Sequence, residues 1–257
     1  MKPPVRAIKQ GVKRLVRRAV NAQGHEIVPR ASTIGPALDT LAVLTEFCVL
    51  KHGTGAVVQI GANDGVMGDP VRATLLKLGL PALLVEPLPD LFEQLRQNYA
   101  DEARVEFANV AVSTQSGEAQ LYRISPTARD LPPWAQGLAS FDKSVLLKHQ
   151  DWPGVGADFS ELIETVTVPV VTMRQLLDAH PDIGPVLVLQ IDTEGHDLEV
   201  IRSTIEAGCT PRLINYEHKH LSLADQNSCR DLLAEHGYSF HSSQVDTLAF
   251  RNADGHR

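Results

Sequence analysis

An α/β fold built on a mostly parallel, seven-stranded sheet is predicted by three features of this chain. Short apolar runs that read as buried strands alternate with helix-length segments from residue 55 onward. The first run, Val57-Val58-Gln59-Ile60, ends abruptly in Gly61-Ala62-Asn63-Asp64-Gly65, the small and polar ending expected where a strand opens onto a ligand. The second, Ala82 to Val85, stops at Glu86, about 25 residues after Gly61. That is roughly the interval at which a nucleoside-binding αβ unit places its ribose-holding acid.

In chain order, residues 5 to 20 carry Val5, Ile8, Val12, Leu15, Val16 and Ala19 at spacings of three and four, with basic residues between them. This describes a cationic amphipathic helix, able to lie on an anionic membrane surface, dock on an acidic partner, or pack as a plain leader helix. Asn21 to Pro36 reads as a linker, so residues 1–36 form an appendage and 37–257 the domain. Leu38, Leu41, Leu44, Phe47 and Cys48 place a helix over 37–51. Strands are expected at 56–61, 82–86, 104–109, 186–191 and 212–217, and helices near 69–79, 88–99, 173–180, 195–207 and 222–236. Strands joined by helices imply right-handed crossovers and a sheet covered on both faces. Residues 238–243 and 246–251 suit a C-terminal hairpin that ends the sheet in one antiparallel strand.

Residues 114–172 break this rhythm. A hairpin-like turn, Gln115-Ser116-Gly117-Glu118, precedes a long segment containing Pro126, Pro132, Pro133, Trp134, Trp152, Pro153 and Gly154. Long inserts in compact α/β domains are usually lids or binding loops. The tryptophans and Phe141 favour a folded cap over 126–165.

The composition is that of a soluble globular protein, with 43% hydrophobic and 21% charged residues among 257. Its formal charge of -7 is uneven: Lys2, Arg6, Lys9, Lys13, Arg14, Arg17 and Arg18 put +7 into the first twenty residues, leaving -14 on the rest. An acidic body argues against nucleic acid as a partner, because phosphate binding needs a basic face. Cys48, Cys209 and Cys229 are widely spaced with no CxxC pair, so no disulfide framework or zinc site is indicated. No apolar run approaches the ~18 residues of a bilayer span. A cytoplasmic location follows as the expectation, with membrane association at the N-terminus as an option.

With these pieces in order, the chain resembles the FkbM family of S-adenosylmethionine-dependent methyltransferases. The resemblance rests on VVQIGANDG at 57–65, LLVEP at 83–87, FANVAVS at 107–113 with the Gly117 turn, GLASF at 137–141 and LVLQIDTEGHDLEVI at 187–201. It implies a Rossmann-like class I methyltransferase fold, S-adenosylmethionine as cofactor, and O-methylation of a carbohydrate or glycosylated natural product. One departure stands out: Gln59 occupies a position where such proteins usually carry an acid. Gln59 can anchor the strand-end loop through hydrogen bonds instead.

Beside the resemblance, the residues speak for themselves. Gly61, Ala62, Asn63 and Asp64 are the expected cofactor loop, where Gly61 lets the backbone approach closely and Gly65 suits a tight turn; a plain strand-to-helix turn is the other reading. The pattern is not GxGxxG, since Asn63 sits where a dinucleotide fingerprint needs its second glycine. A methionine tail has no phosphate, so polar side chains serve it better than bare backbone. Glu86 can accept both ribose hydroxyl hydrogens. Asn109 either borders the adenine edge or braces a turn.

Asp192 ends the fourth main strand and Glu217 the fifth, so the two can face one another across the mouth of the cleft, both catalytic candidates and possible ligands for a divalent cation such as Mg. Asp192 is also a cofactor candidate. A sugar hydroxyl needs a base or a metal to become nucleophilic, and His196 or His218 is the candidate base. Helix capping accounts for part of the Asp192 to Asp197 block equally well. Two other functions stay open: a nucleotide-dependent oxidoreductase, opposed by the missing glycine, and a non-catalytic scaffold of a glycan-assembly complex that contacts a membrane or protein through residues 1–20. The expected partner is a small-molecule or glycan acceptor, and a homo-oligomer is allowed.

Overall fold

The computed structural model describes residues 38–128, 131–150 and 159–251. The basic helix expected over residues 5 to 20, and Trp152 of the insert, lie outside the described residues. Among the described residues, eleven strands occur: β1 (Ala56–Ile60), β2 (Ala82–Val85), β3 (Val105–Ala108), β4 (Ala111–Val112), β5 (Gly117–Ile124), β6 (Ala139–Ser140), β7 (Ile163–Val171), β8 (Val186–Ile191), β9 (Leu213–Glu217), β10 (Tyr238–Ser242) and β11 (Asp246–Arg251). The α-helices are α1 (Thr40–His52), α2 (Arg72–Leu78), α3 (Pro89–Asn98), α4 (Lys143–Leu147), α5 (Met173–Ala179), α6 (Asp197–Glu206) and α7 (Leu223–Glu235).

The main sheet has seven strands in the order β10-β11-β9-β8-β1-β2-β3. Strands β1, β2, β3, β8 and β9 are parallel. Their near-continuous apolar runs fit this, because both faces are covered. Ala56, Val58 and Ile60 of β1 join one core with residues of α5, α6 and α7, whereas Val57 joins the opposite core with residues of α1, α2 and α3. The alternation of side chains along a strand thus feeds two cores at once.

The expected C-terminal hairpin forms, yet its order corrects the prediction. The antiparallel strand β11 inserts between β9 and β10, and β10 is the edge. Burial explains the choice: Thr247, Leu248 and Ala249 of β11 are buried, while most of β10 is at least partly exposed.

The insert is a second sheet rather than a cap confined to 126–165. It has four strands in the order β4-β7-β5-β6, with β5 and β7 antiparallel along their whole length. Leu121, Val168 and Val170 pack on Leu88 and Leu91 at the start of α3, so this sheet is fastened beside the carboxyl ends of the main strands. A buried Arg123 on β5 reinforces the seam, its guanidinium donating to both carboxylate oxygens of Asp90 at 2.5 and 2.8 Å. Among the described residues, no helix is long and apolar enough to cross a membrane.

Candidate functional site

The strand order reverses between β1 and β8, where ligands of open parallel sheets collect. A cleft of about 820 Å³ opens there. Its floor is Gln59 to Asn63 at the end of β1, Glu86 and Pro87 after β2, and Asp192 to Glu194 with His196 after β8. Met67 to Pro70 ahead of α2 form one side wall, and the second sheet with its flanking turns supplies another through Leu121, Gly137, Ala139 and Phe141.

The β1 loop is shaped by two close approaches. Gly61 has φ +81°, and a Cβ there would come within 1.8 Å of the Asp192 carbonyl oxygen. Asn63 has φ +51° and packs against the insert so tightly that a Cβ on Gly137 would lie 2.1 Å from Asn63 Nδ2. Asp64 does not line the cleft, correcting its expected role. Its Oδ1 accepts from the N–H groups of Val66 and Met67, which closes the loop on itself.

Glu86 is buried, with one carboxylate oxygen accepting from Asn63 N–H and the other from Leu88 N–H, both at 2.9 Å. Burial pushes its carboxyl up to about 7, with these two bonds pulling the other way. Asn109 takes the turn role: its Nδ2 donates to the carbonyls of Glu86 and Pro87, and it is not part of the cleft wall.

Gln59 meets the loop through its side-chain amide, which acts on the Asp69 carboxylate. In the sheet it lies beside Gln190, which in turn accepts from Asn215 at 2.9 Å, but Gln59 Oε1 is buried without a hydrogen-bond partner. Asp69, which the sequence reading did not single out, shares this condition. Its Oδ1 accepts from Val71 and Arg72 N–H, and its Oδ2 is buried and unpartnered. Burial raises its pKa, partly offset by those N–H groups and by the Gln59 amide.

At the far end of the cleft, Asp192 keeps its surface open while the surrounding protein and then the charge of Asp246 push it up to about 6. His196 reaches the cleft wall, its Nε2 3.0 Å from Ser113 Oγ and its ring 4.7 Å from that of Phe141. Burial lowers its pKa. A second groove of about 500 Å³, lined by Ser113, Gln115, Ser116 and Glu118, shares Phe141 and His196 with the main cleft.

His218 is elsewhere, its Nδ1 3.0 Å from Thr247 Oγ1 on β11, outside both grooves. Of the two candidate bases, only His196 reaches the site. The pairing of Asp192 with Glu217 as metal ligands is also corrected. Among the described residues, the group of metal-ligating side chains within 4.8 Å of one another is Glu194, Glu217 and His220. Burial, followed by the charge of Asp192, pushes Glu194 up to about 8 and Glu217 to about 9, and burial drives His220 down to about 4. Asp197 beside them is structural: buried in the first turn of α6, it accepts from Thr193 Oγ1 and from Glu217 N–H.

With this geometry in place, the Methyltransferase FkbM domain family matches residues 59–240 of the chain. The chain belongs to the FkbM methyltransferase family. The match runs from Gln59 in β1 to Phe240 in β10, taking in the cleft and the inserted sheet of this FkbM domain. The family implies S-adenosylmethionine as methyl donor. No curated protein matches the chain closely enough to add to this.

Among solved structures, the FkbM methyltransferase of Methylobacillus flagellatus KT is similar at 12% identity and a TM-score of 0.46, covering 77% of this chain and 44% of that one. The FkbM domain here therefore spans less than half the length of that protein. A human methyltransferase 10 domain containing protein gives 13% identity and a TM-score of 0.42, with 95% and 97% covered. A precorrin-6y C5,15-methyltransferase from Geobacter metallireducens gives 11% and 0.40, with 87% and 93% covered.

Proposed function

We propose that the protein transfers a methyl group from S-adenosylmethionine to a hydroxyl of a carbohydrate or glycosylated natural product. The observation that carries the donor half is the pair of buried, unpartnered acceptors Gln59 Oε1 and Asp69 Oδ2 in residues that line the same cleft as Glu86. A buried acceptor without a donor is costly, and a ligand that brings an ammonium relieves both. Glu86 keeps spare acceptor capacity on each oxygen for the two ribose hydroxyls. A nucleoside bearing an amino-acid tail fits this donor-hungry wall. A pyrophosphate fits less well, because Asn63 stands where its close backbone approach needs a glycine.

When bound, S-adenosylmethionine supplies an electrophilic methyl group for in-line displacement by the acceptor oxygen. His196, shared by the donor cleft and the polar groove, is placed to take the proton that the acceptor hydroxyl gives up. Phe141 and the Ser113 to Glu118 edge offer an apolar face and hydroxyl partners of the sort a sugar ring needs. These features support the carbohydrate acceptor, and the acidic body argues against a nucleic acid.

The test is titration with S-adenosylhomocysteine and with NAD, followed by mass spectrometry of candidate glycans for a one-methyl increase. Saturable binding of S-adenosylhomocysteine and methylated product are expected. Preference for NAD would overturn the donor reading, and methylation of a non-hydroxyl acceptor alone would overturn the acceptor reading.

A further inference from the structure

Three ligand-type atoms converge beside the cleft without satisfying one another. His220 Nε2 lies 3.0 Å from Glu194 Oε2 and 3.6 Å from Glu217 Oε2, yet all three atoms are buried without a hydrogen-bond partner. The His220 side chain is only 4% exposed. Neither approach has hydrogen-bond geometry, so the three atoms are close without satisfying one another as donors and acceptors. Bound together, the two carboxylates and the imidazole present three lone-pair donors to a dication.

The spacing fits a metal. An ion about 2.1 Å from each donor sets neighbouring ligand atoms roughly 3.0 Å apart at right angles and roughly 3.4 Å apart at the tetrahedral angle. The two measured separations fall close to these edges. The backbone presents the ligands from two loops that touch: Gly195 stands 3.6 Å from the His220 carbonyl oxygen, measured to its would-be Cβ. Glu194 is held at φ +50°, its carbonyl accepting from Ser140 Oγ of the inserted sheet at 2.7 Å.

We propose that Glu194, Glu217 and His220 form a binding site for a transition-metal dication. Two carboxylates with one imidazole favour Mn²⁺, Fe²⁺ or Zn²⁺ over Mg²⁺ and Ca²⁺, which take all-oxygen shells. Three protein ligands leave coordination positions open. Glu194 also lines the cleft, so an open position can take the acceptor hydroxyl and acidify it for His196; this role, unlike the site, rests on the methyl-transfer reading.

Untagged, chelator-stripped protein titrated with Co²⁺ tests the site, read by visible d–d absorption, with S-adenosylhomocysteine binding measured on the same samples. A single saturating equivalent is expected, displaced by Zn²⁺ and not by Mg²⁺. Affinity should fall by about a hundredfold in His220→Ala and Glu217→Gln while S-adenosylhomocysteine binding is kept. Glu194→Gln, in the loop rather than at a strand end, replaces either variant that does not fold. Absence of saturable Co²⁺ binding by the wild type overturns the site, as does unchanged binding in folded variants. Co²⁺ binding without S-adenosylhomocysteine binding overturns only the donor reading.

Discussion

The carbonyl oxygen of Asp192 lies 1.8 Å from where a β-carbon on Gly61 would stand. Two strand ends that are distant in sequence therefore meet backbone to backbone at the reversal of strand order, and the cleft floor exists because residue 61 has no side chain. Gly61→Ala must both part β1 from β8 and hold alanine at φ +81°. We expect a loss of about 3 kcal/mol in stability, read by denaturant unfolding, together with loss of S-adenosylhomocysteine binding. Wild-type stability in this variant would show that the strand ends part freely.

On the proposed reading, Glu86 should couple cofactor binding to pH. Its carboxyl stands at about 7 in the folded protein against 4.5 in the free state. With the folded value raised, its stabilising contribution is full below the free value and is lost as pH rises through about 7. Ribose hydroxyls donate best to the ionised carboxylate, so S-adenosylhomocysteine affinity should rise as pH crosses that value. In Glu86→Gln the affinity should fall about tenfold and lose this pH dependence. Calorimetric titration at several pH values decides the matter, and a pH dependence unchanged in the variant would count against Glu86.

Asp69 and Gln59 should recognise the amino-acid tail rather than the nucleoside. Asp69→Asn keeps an oxygen for the Val71 and Arg72 N–H groups but removes the charge. S-adenosylhomocysteine should bind about tenfold more weakly, while methylthioadenosine, which lacks the tail, should bind as before. Equal losses for both ligands would refute the assignment.

The two histidines separate cleanly. His196→Asn should lower turnover by about a hundredfold with cofactor affinity retained. His218→Asn, on the Thr247 side of β9, should turn over like the wild type. Steady-state kinetics with a methylated glycan product gives the comparison, and the reverse pattern would move the base to His218.

Asp90→Asn should destabilise the joint between the two sheets by about 2 kcal/mol, because it strips the partner from buried Arg123 while the half-exposed Asp90 end is screened. The Arg123 hydrogen bond holds Asp90 below its ordinary 3.8. This stabilisation is therefore present above that pH and disappears as the medium becomes more acidic than the folded value. Thermal unfolding of both proteins near neutrality and in acid provides the check.

What the amino-acid sequence determined by itself is the main sheet. Runs such as Val57 to Ile60 and Val186 to Ile191 are apolar but for Gln59 and Gln190 because both sheet faces are covered, and that pattern is local. The cleft loop at Gly61 and the acid at Glu86 were legible for a related reason, since each sits where an apolar run stops. The inserted sheet was not, because Gly117 to Ile124 pairs with Ile163 to Val171 across a long interval, and the turn at Gln115 to Glu118 marks where one strand begins but not its partner. Tertiary structure alone decided which polar residues share a site. Asp64 turned inward to its own loop, Asn109 to the carbonyls of Glu86 and Pro87 after the neighbouring strand, His218 went to Thr247, and Asp69 joined Gln59. Glu217 met Glu194 and His220 only because β9 lies beside β8, with the loops after both strands touching. Side-chain direction at a strand end depends on the neighbouring strand and on the backbone angles of one or two loop residues, neither of which leaves a periodic signal in the chain.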